Sequence, residues 1–122
     1  MRNLRFGKVQ LKIMRVLWEK GRANACEITR ALNDIEPIAH STVQTLLRKL
    51  EQKGAVDHDV DNRTFIFFPL IEEKNATQHA VLDFVDQMFF GSPVSLVSYL
   101  IKEKRLSPEE LKKIRELIND KE

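Results

Sequence analysis

From His40 to Val56 the apolar residues Val43, Leu46, Leu47 and Leu50 recur at i, i+3, i+4 and i+7. At about 100° per residue this spacing gathers them on one face of a helix. The opposite face carries Ser41, Thr45, Arg48 and Gln52, flanked by Thr42, Gln44 and Lys49, none of them acidic. A helix with one apolar stripe needs a core to bury it, so the pattern fixes which side faces inward and leaves a basic, hydrogen-bonding side outside. Hydroxyls and an amide beside Arg and Lys are groups that bond phosphates and base edges in a DNA groove. Any solvated amphipathic helix has a polar face too, so the flanking elements decide between the two readings.

Upstream, Val9 to Lys20 places Ile13, Met14, Leu17 and Trp18 on one side of a helix, with Gly21 as its stop. Asn24 followed by Glu27 forms a capping box for a short helix from Ala25 to about Asn33, with Ile28, Ala31 and Leu32 inward. Pro37 separates it from the third helix, for which Ser41 and Gln44 offer a box-like start, with the boundary there or one or two residues earlier. This order is a helix-turn-helix arrangement. After Gly54 the period changes: Ala55 to Val60 and Thr64 to Phe68 read as strands joined by Asp61-Asn62-Arg63. A hairpin placed there is the wing of a winged helix, with Arg63 at the tip. Phe65 and Phe67 share one face by the two-residue period, with Ile66 and Phe68 on the other, and these aromatics are read as core.

Pro69 opens an all-helical remainder. A helix from about Glu72 to Phe90 carries a wide apolar stripe through Ala80, Phe84 and Met88, with Val81, Val85 and Phe89 beside it. Ser92-Pro93 starts a second helix bearing Val94, Val97, Leu100 and Ile101, and Ser107-Pro108-Glu109-Glu110 starts a third bearing Leu111, Ile114, Leu117 and Ile118. Some 50 residues bury too little surface for an independent core. A second copy of the chain is the expected cover, with Phe84, Met88, Val97, Leu100, Leu111, Ile114, Leu117 and Ile118 as the dimer contacts. The expected fold is therefore mainly α with a small β-hairpin: a winged helix-turn-helix over residues 1–71, then a helical dimerisation region over 72–122.

Composition supports this division. The 122-residue chain has a net charge of only +2, but residues 1–71 hold 12 Lys and Arg against 8 Asp and Glu, while residues 72–122 hold 8 against 10. The basic half is the one with the candidate recognition helix. One cysteine excludes an intrachain disulfide framework, and no apolar leader follows the first residues, so a cytoplasmic location is expected. The most apolar window, Ala80 to Ile101, is broken by Asp83, Asp86 and Gly91-Ser92-Pro93, which argues against a membrane span. His40, His58 and His79 fit no zinc spacing and are read as surface or turn residues, and no phosphate loop is present. Cys26 is read as a small, partly buried side chain. The pattern resembles no ligand pocket, so no catalytic residue, metal or cofactor is expected. A DNA-binding regulator is the leading reading, and a winged helix serving as a protein-interaction module without a DNA role is the alternative.

The segments Leu17-Trp18-Glu19-Lys20-Gly21, Ser41 to Gly54, Pro69-Leu70-Ile71, Phe90-Gly91-Ser92-Pro93 and Leu106-Ser107-Pro108-Glu109-Glu110-Leu111 resemble, in this order, the penicillinase-repressor family of bacterial winged-helix regulators. That family includes the penicillinase, methicillin-resistance and copper-responsive repressors. The resemblance implies a homodimeric transcriptional repressor on a palindromic operator in double-stranded DNA. By position it assigns DNA contacts to Ser41, Thr42, Gln44, Thr45 and Lys49 on the helix and to Arg63 on the wing, while Arg48 enters from the helix face itself. The cysteine-rich metal hook of the copper-responsive members is not matched, since the chain ends Ile-Asn-Asp-Lys-Glu and its one cysteine is Cys26. The β-lactam-responsive members are inactivated by a protease that cuts an Asn-Phe bond, and the matching bond here is Tyr99-Leu100.

Overall fold

A computed structural model describes residues 5–120. Its elements run α1 (Lys8–Lys20), β1 (Ala23–Asn24), α2 (Ala25–Asn33), α3 (His40–Gln52), β2 (Val56–Asp61), β3 (Thr64–Pro69), α4 (Glu73–Phe89), α5 (Pro93–Lys102) and α6 (Pro108–Asp120). The chain divides into two compact units, with the boundary between Ala80 and Val81, within α4.

In the first unit, α1, α2 and α3 pack on one another and on a three-stranded antiparallel sheet of order β1-β3-β2. Ile13, Met14 and Leu17 of α1, Ile28 and Leu32 of α2, and Val43, Leu47 and Leu50 of α3 form the centre of its core, closed by Val56, Phe67, Ile71 and Ala76. Trp18 is half-buried, and its indole N–H donates to the Ile71 carbonyl at 2.8 Å, satisfying the polar edge of a large apolar side chain. The capping box of α2 forms as expected, with the Glu27 N–H donating to Asn24 Oδ1 at 2.8 Å and the Asn24 N–H to Glu27 Oε1 at 2.9 Å.

Three local features sharpen the sequence expectation or correct it. Helix α3 starts at His40 with Ala39 as its N-cap, and Ser41 lies inside the first turn without capping it. The Ala39 carbonyl already accepts the N–H groups of Thr42 and Val43 at 3.1 and 3.2 Å, so the chain is helical before Ser41 is reached. The sheet has a third strand, with Ala23 opposite Phe67 and Asn24 opposite Ile66. Two residues are too few to display a period. Cys26 is exposed, because it lies two residues from Ile28 on α2 and so points about 200° away from that inward side chain.

The turn between α2 and α3 is tied by one side chain. Asn33 Nδ2 donates to the carbonyls of Thr29 (2.8 Å) and Ile38 (3.0 Å), while its Oδ1 accepts the Ile38 N–H at 3.1 Å. At the other end of α3, Gly54 at φ +80° lets the chain leave the helix, with the Ala55 N–H donating to the Leu50 carbonyl at 3.0 Å. Both ends of α3 are therefore held by bonds local to the unit.

The second unit comprises the later turns of α4 with α5 and α6. Ser92 caps α5 at the Ser95 N–H (3.2 Å), and Ser107 and Glu110 form a capping box at 2.9 and 3.1 Å. The Ser107 backbone N–H, then its hydroxyl hydrogen bond, hold the Glu110 carboxyl below its ordinary value. Phe84, Phe89 and Tyr99 meet edge to face at centroid separations of 5.9 and 6.0 Å. Val85 is fully buried, whereas neither α5 nor α6 has a buried residue. Among the described residues, no single helix is long and apolar enough to cross a membrane.

Leu47 is enclosed on every side at the centre of the first unit. Leu47→Ala is expected to cost about 2 to 5 kcal/mol in denaturant unfolding, the range for a leucine whose cavity cannot collapse. A loss well under that range would mean that α3 is less firmly seated than this core requires.

Candidate nucleic-acid interface

Burial of Val43, Leu47 and Leu50 sets the roll of α3 and turns Ser41, Thr42, Gln44, Thr45, Arg48 and Lys49 outward, all exposed. Their chemistry differs along the helix. The Thr45 hydroxyl donates to the Ser41 carbonyl at 3.0 Å, so it offers outward a lone pair and a methyl group in place of a donor. Gln44 presents both amide donors and an acceptor, while Arg48 and Lys49 present only donors and positive charge.

The wing places Arg63 beside this face. Asn62 and Arg63 are the two central residues of the hairpin turn, at φ +48° and +67°. Such a turn favours asparagine and then glycine, because positive φ crowds a Cβ. An arginine held there is strained backbone, of order 1 kcal/mol, at the point of the wing that reaches furthest. Arg63 and Arg48 line one open cleft of about 620 Å³ between α3, the wing and the start of α2.

The strands of the wing sort charge by face. In the β2–β3 ladder His58 lies opposite Phe67 and Val60 opposite Phe65, while Asp57, Asp59 and Asp61 lie opposite Phe68, Ile66 and Thr64. The first set faces α3, since His58 Nδ1 pairs with the Glu51 carboxylate. None of these three aspartates lines the cleft. Asp59 pairs with Arg22, whose guanidinium also sits 4.7 Å from the Phe68 ring centroid.

The aromatics divide accordingly. Phe67 belongs to the core, whereas Phe65 is half-exposed and stacks on His58 at 3.9 Å with the rings 14° apart. Glu51, Asp57 and His58 bring possible ligand atoms within 4.8 Å of one another. Asp57 Oδ1 accepts the His58 backbone N–H at 2.8 Å and lies 4.0 Å from His58 Nδ1, while Glu51 pairs with that ring nitrogen, so the group reads as a cross-link between α3 and β2.

Sequence reasoning missed the cleft and three residues that line it, Asn24, His40 and Thr64. His40 is set by a 3.2 Å contact of its Nδ1 with the Thr29 hydroxyl of α2. It also missed the pairing of Glu51 with His58. The alternation of acids around His58 in β2 was the available signal, since it puts the histidine alone on the helix side. The eight residues expected at a dimer contact all lie in the second unit, with Phe84, Met88, Val97, Leu117 and Ile118 exposed and Leu100, Leu111 and Ile114 half-buried.

Comparison with known proteins gives this geometry a context. The penicillinase repressor family matches residues 6–120. The chain is 26% identical over 111 residues to the penicillinase repressor of Bacillus licheniformis, covering 91% of this chain and 87% of that protein. It is 27% identical over 110 residues to the methicillin resistance regulatory protein MecI of Staphylococcus aureus strain N315, covering 90% and 89%. Among solved structures, monomeric Bacillus licheniformis BlaI in complex with the blaP half-operator superposes with a TM-score of 0.52 at 29% identity, over 62% of this chain and 93% of that one.

Replacing the strained arginine separates its two roles. Arg63→Gly is expected to leave the thermal midpoint unchanged or raise it, because glycine suits the turn. If Arg63 meets a phosphate, the same change lowers duplex affinity and reduces the slope of log affinity against log salt by about one unit. A duplex titration at several salt concentrations checks this, and an unchanged slope would remove Arg63 from the contact set.

Proposed function

The chain belongs to the penicillinase repressor family, and from that premise we propose that this DNA-binding transcriptional repressor grips its operator as a homodimer, one winged helix on each half-site. The family is one of repressors and not of enzymes. The observation that carries the reading is the acid-free exposed face of α3 sharing a cleft with the strained Arg63 of the wing. The half-operator complex of the Bacillus licheniformis relative supports one winged helix per half-site.

In this reading Gln44 and Thr45, with Ser41 and Thr42 beside them, meet base edges in the major groove, while Arg48, Lys49 and Arg63 meet phosphates. Residues 1–71 carry the DNA contacts and residues 72–122 the dimer contacts. A fragment made to isolate the reading unit should nevertheless extend to Ala80, because Ile71 and Ala76 complete its core. The protein acts in the cytoplasm, where its operator lies.

Dimerisation is supported by the apolar surface of the second unit, where Met88 is 61%, Leu117 59% and Ile118 56% exposed. Exposure on that scale is unfavourable in water, and a two-fold contact lets each stripe cover its equivalent. In the full chain, Met88→Glu combined with Leu117→Glu is expected to turn a sedimenting dimer into a monomer. Its affinity for a palindromic duplex should fall toward that of a single winged helix, as two linked contacts become independent. Persistence of the dimer would sink this assignment. Wild-type binding should weaken steeply with added salt, and no duplex binding at low salt would favour the protein-interaction reading instead.

Release by cleavage is the corresponding proposal for control, with a protease as a further partner. Tyr99-Leu100 lies in α5, whose lack of buried residues makes local opening cheap. A cut there separates α6, with Leu111, Ile114, Leu117 and Ile118, from the preceding apolar surface. A specific protease site inserted at Tyr99-Leu100 should, once cut, lower operator affinity to the level of the monomer. If the nicked chain remains dimeric and bound, control operates elsewhere.

A further inference from the structure

The wing must be held against α3 if Arg63 and the recognition face are to meet one duplex in a fixed relation. Beyond Phe67 the hairpin leaves the core, and Val60, Asp61, Arg63, Thr64 and Phe65 are exposed. What joins this distal part to α3 is a short chain of contacts. Glu51, in the last turn of α3, pairs with His58 Nδ1, and the His58 ring lies flat on Phe65, two residues beyond Arg63.

We propose that Glu51, His58 and Phe65 are positioning residues for DNA recognition, a clamp that sets where Arg63 stands relative to Arg48 and so makes helix and wing bind as one surface. The proposal rests on the repressor reading above and adds residues that need touch no DNA.

Three physical points support it. The pair is partly desolvated, with the His58 side chain 22% and the Glu51 side chain 35% exposed, so it is worth more than a surface pair. The stack lies at van der Waals distance, and the face of Phe65 attracts the imidazolium when His58 is charged. Finally, among the described residues Glu51 is the one acid lining the cleft, and it stands three residues from Arg48 on the same helix. Left unpaired, it would compete with phosphate for that guanidinium. His58 engages the carboxylate and keeps Arg48 available.

Around His58 stand Glu51 from α3, Asp57 from β2 at 4.0 Å, and the rings of Phe65 and Phe67 from β3, with Arg48 and Arg63 lining the same cleft.

The test is a double-mutant cycle in the full-length protein, on a duplex that the wild type selects from a randomised pool. Arg63→Ala alone is expected to weaken binding about tenfold, as loss of a phosphate contact. In a His58→Ala background the same change should cost less than about twofold, because the wing no longer holds Arg63 in place. Glu51→Gln provides the same cycle while keeping the side-chain shape, and Phe65→Tyr, which keeps the stack, should preserve the wild-type coupling. A merely stabilising role would lower the thermal midpoint without any coupling to Arg63. Equal losses from Arg63→Ala in all backgrounds would overturn the clamp while leaving the repressor reading intact; failure of the wild type to select any duplex would overturn that reading itself.

Discussion

Burial of Val43, Leu47 and Leu50 is the constraint on which the rest of the interface depends. These three side chains settle the rotation of α3 about its own axis. Once they are enclosed by Ile13, Met14 and Leu17 on α1 and Ile28 and Leu32 on α2, the outward direction of Gln44, Thr45, Arg48 and Lys49 follows from helix geometry alone. A roll of one residue, about 100°, would carry Leu46 or Leu47 toward the outer face. The hydrogen bonds of Asn33 at one end and the glycine exit at Gly54 at the other add axial position to rotational position.

The wing is a different kind of element, with little core of its own. It is gripped from both faces, by Glu51 and His58 on the helix side and by Arg22 with Asp59 on the other. Strand alternation makes this possible, since adjacent residues of β2 are committed to opposite faces. The same alternation keeps three aspartates off the cleft, where they would repel a phosphate backbone. Arg63 at positive φ fits this picture, as a backbone cost borne where a charged side chain is useful.

The second unit carries the opposite imbalance. Its helices are well capped, by Ser92 on α5 and by Ser107 with Glu110 on α6, yet they bury little. Local signals specify helices very well here and leave the burial of their apolar faces to another surface. That combination suits the proposed homodimer, in which loss of contact between copies would reach DNA binding through avidity and not through any change in the reading face.

Much of this was legible from the chain itself. The helices, the capping box at Asn24, the stop at Gly21, the hairpin and the acid-free face of α3 depend on residues within four positions of one another, or on the two-residue period of a strand. What the sequence could not indicate are the features made by packing distant segments together. The strand at Ala23 exists only because β3 lies beside it. The start of α3 at His40 reflects the carbonyl geometry of Ala39, not the capping preference of Ser41. The cleft joins α2, α3 and the wing, and the pairing of Glu51 with His58 requires the reversal at Gly54. Side-chain period dictates which face each residue occupies, but only the packed core decides which faces meet, because contacts between elements are fixed by burial and not by sequence spacing.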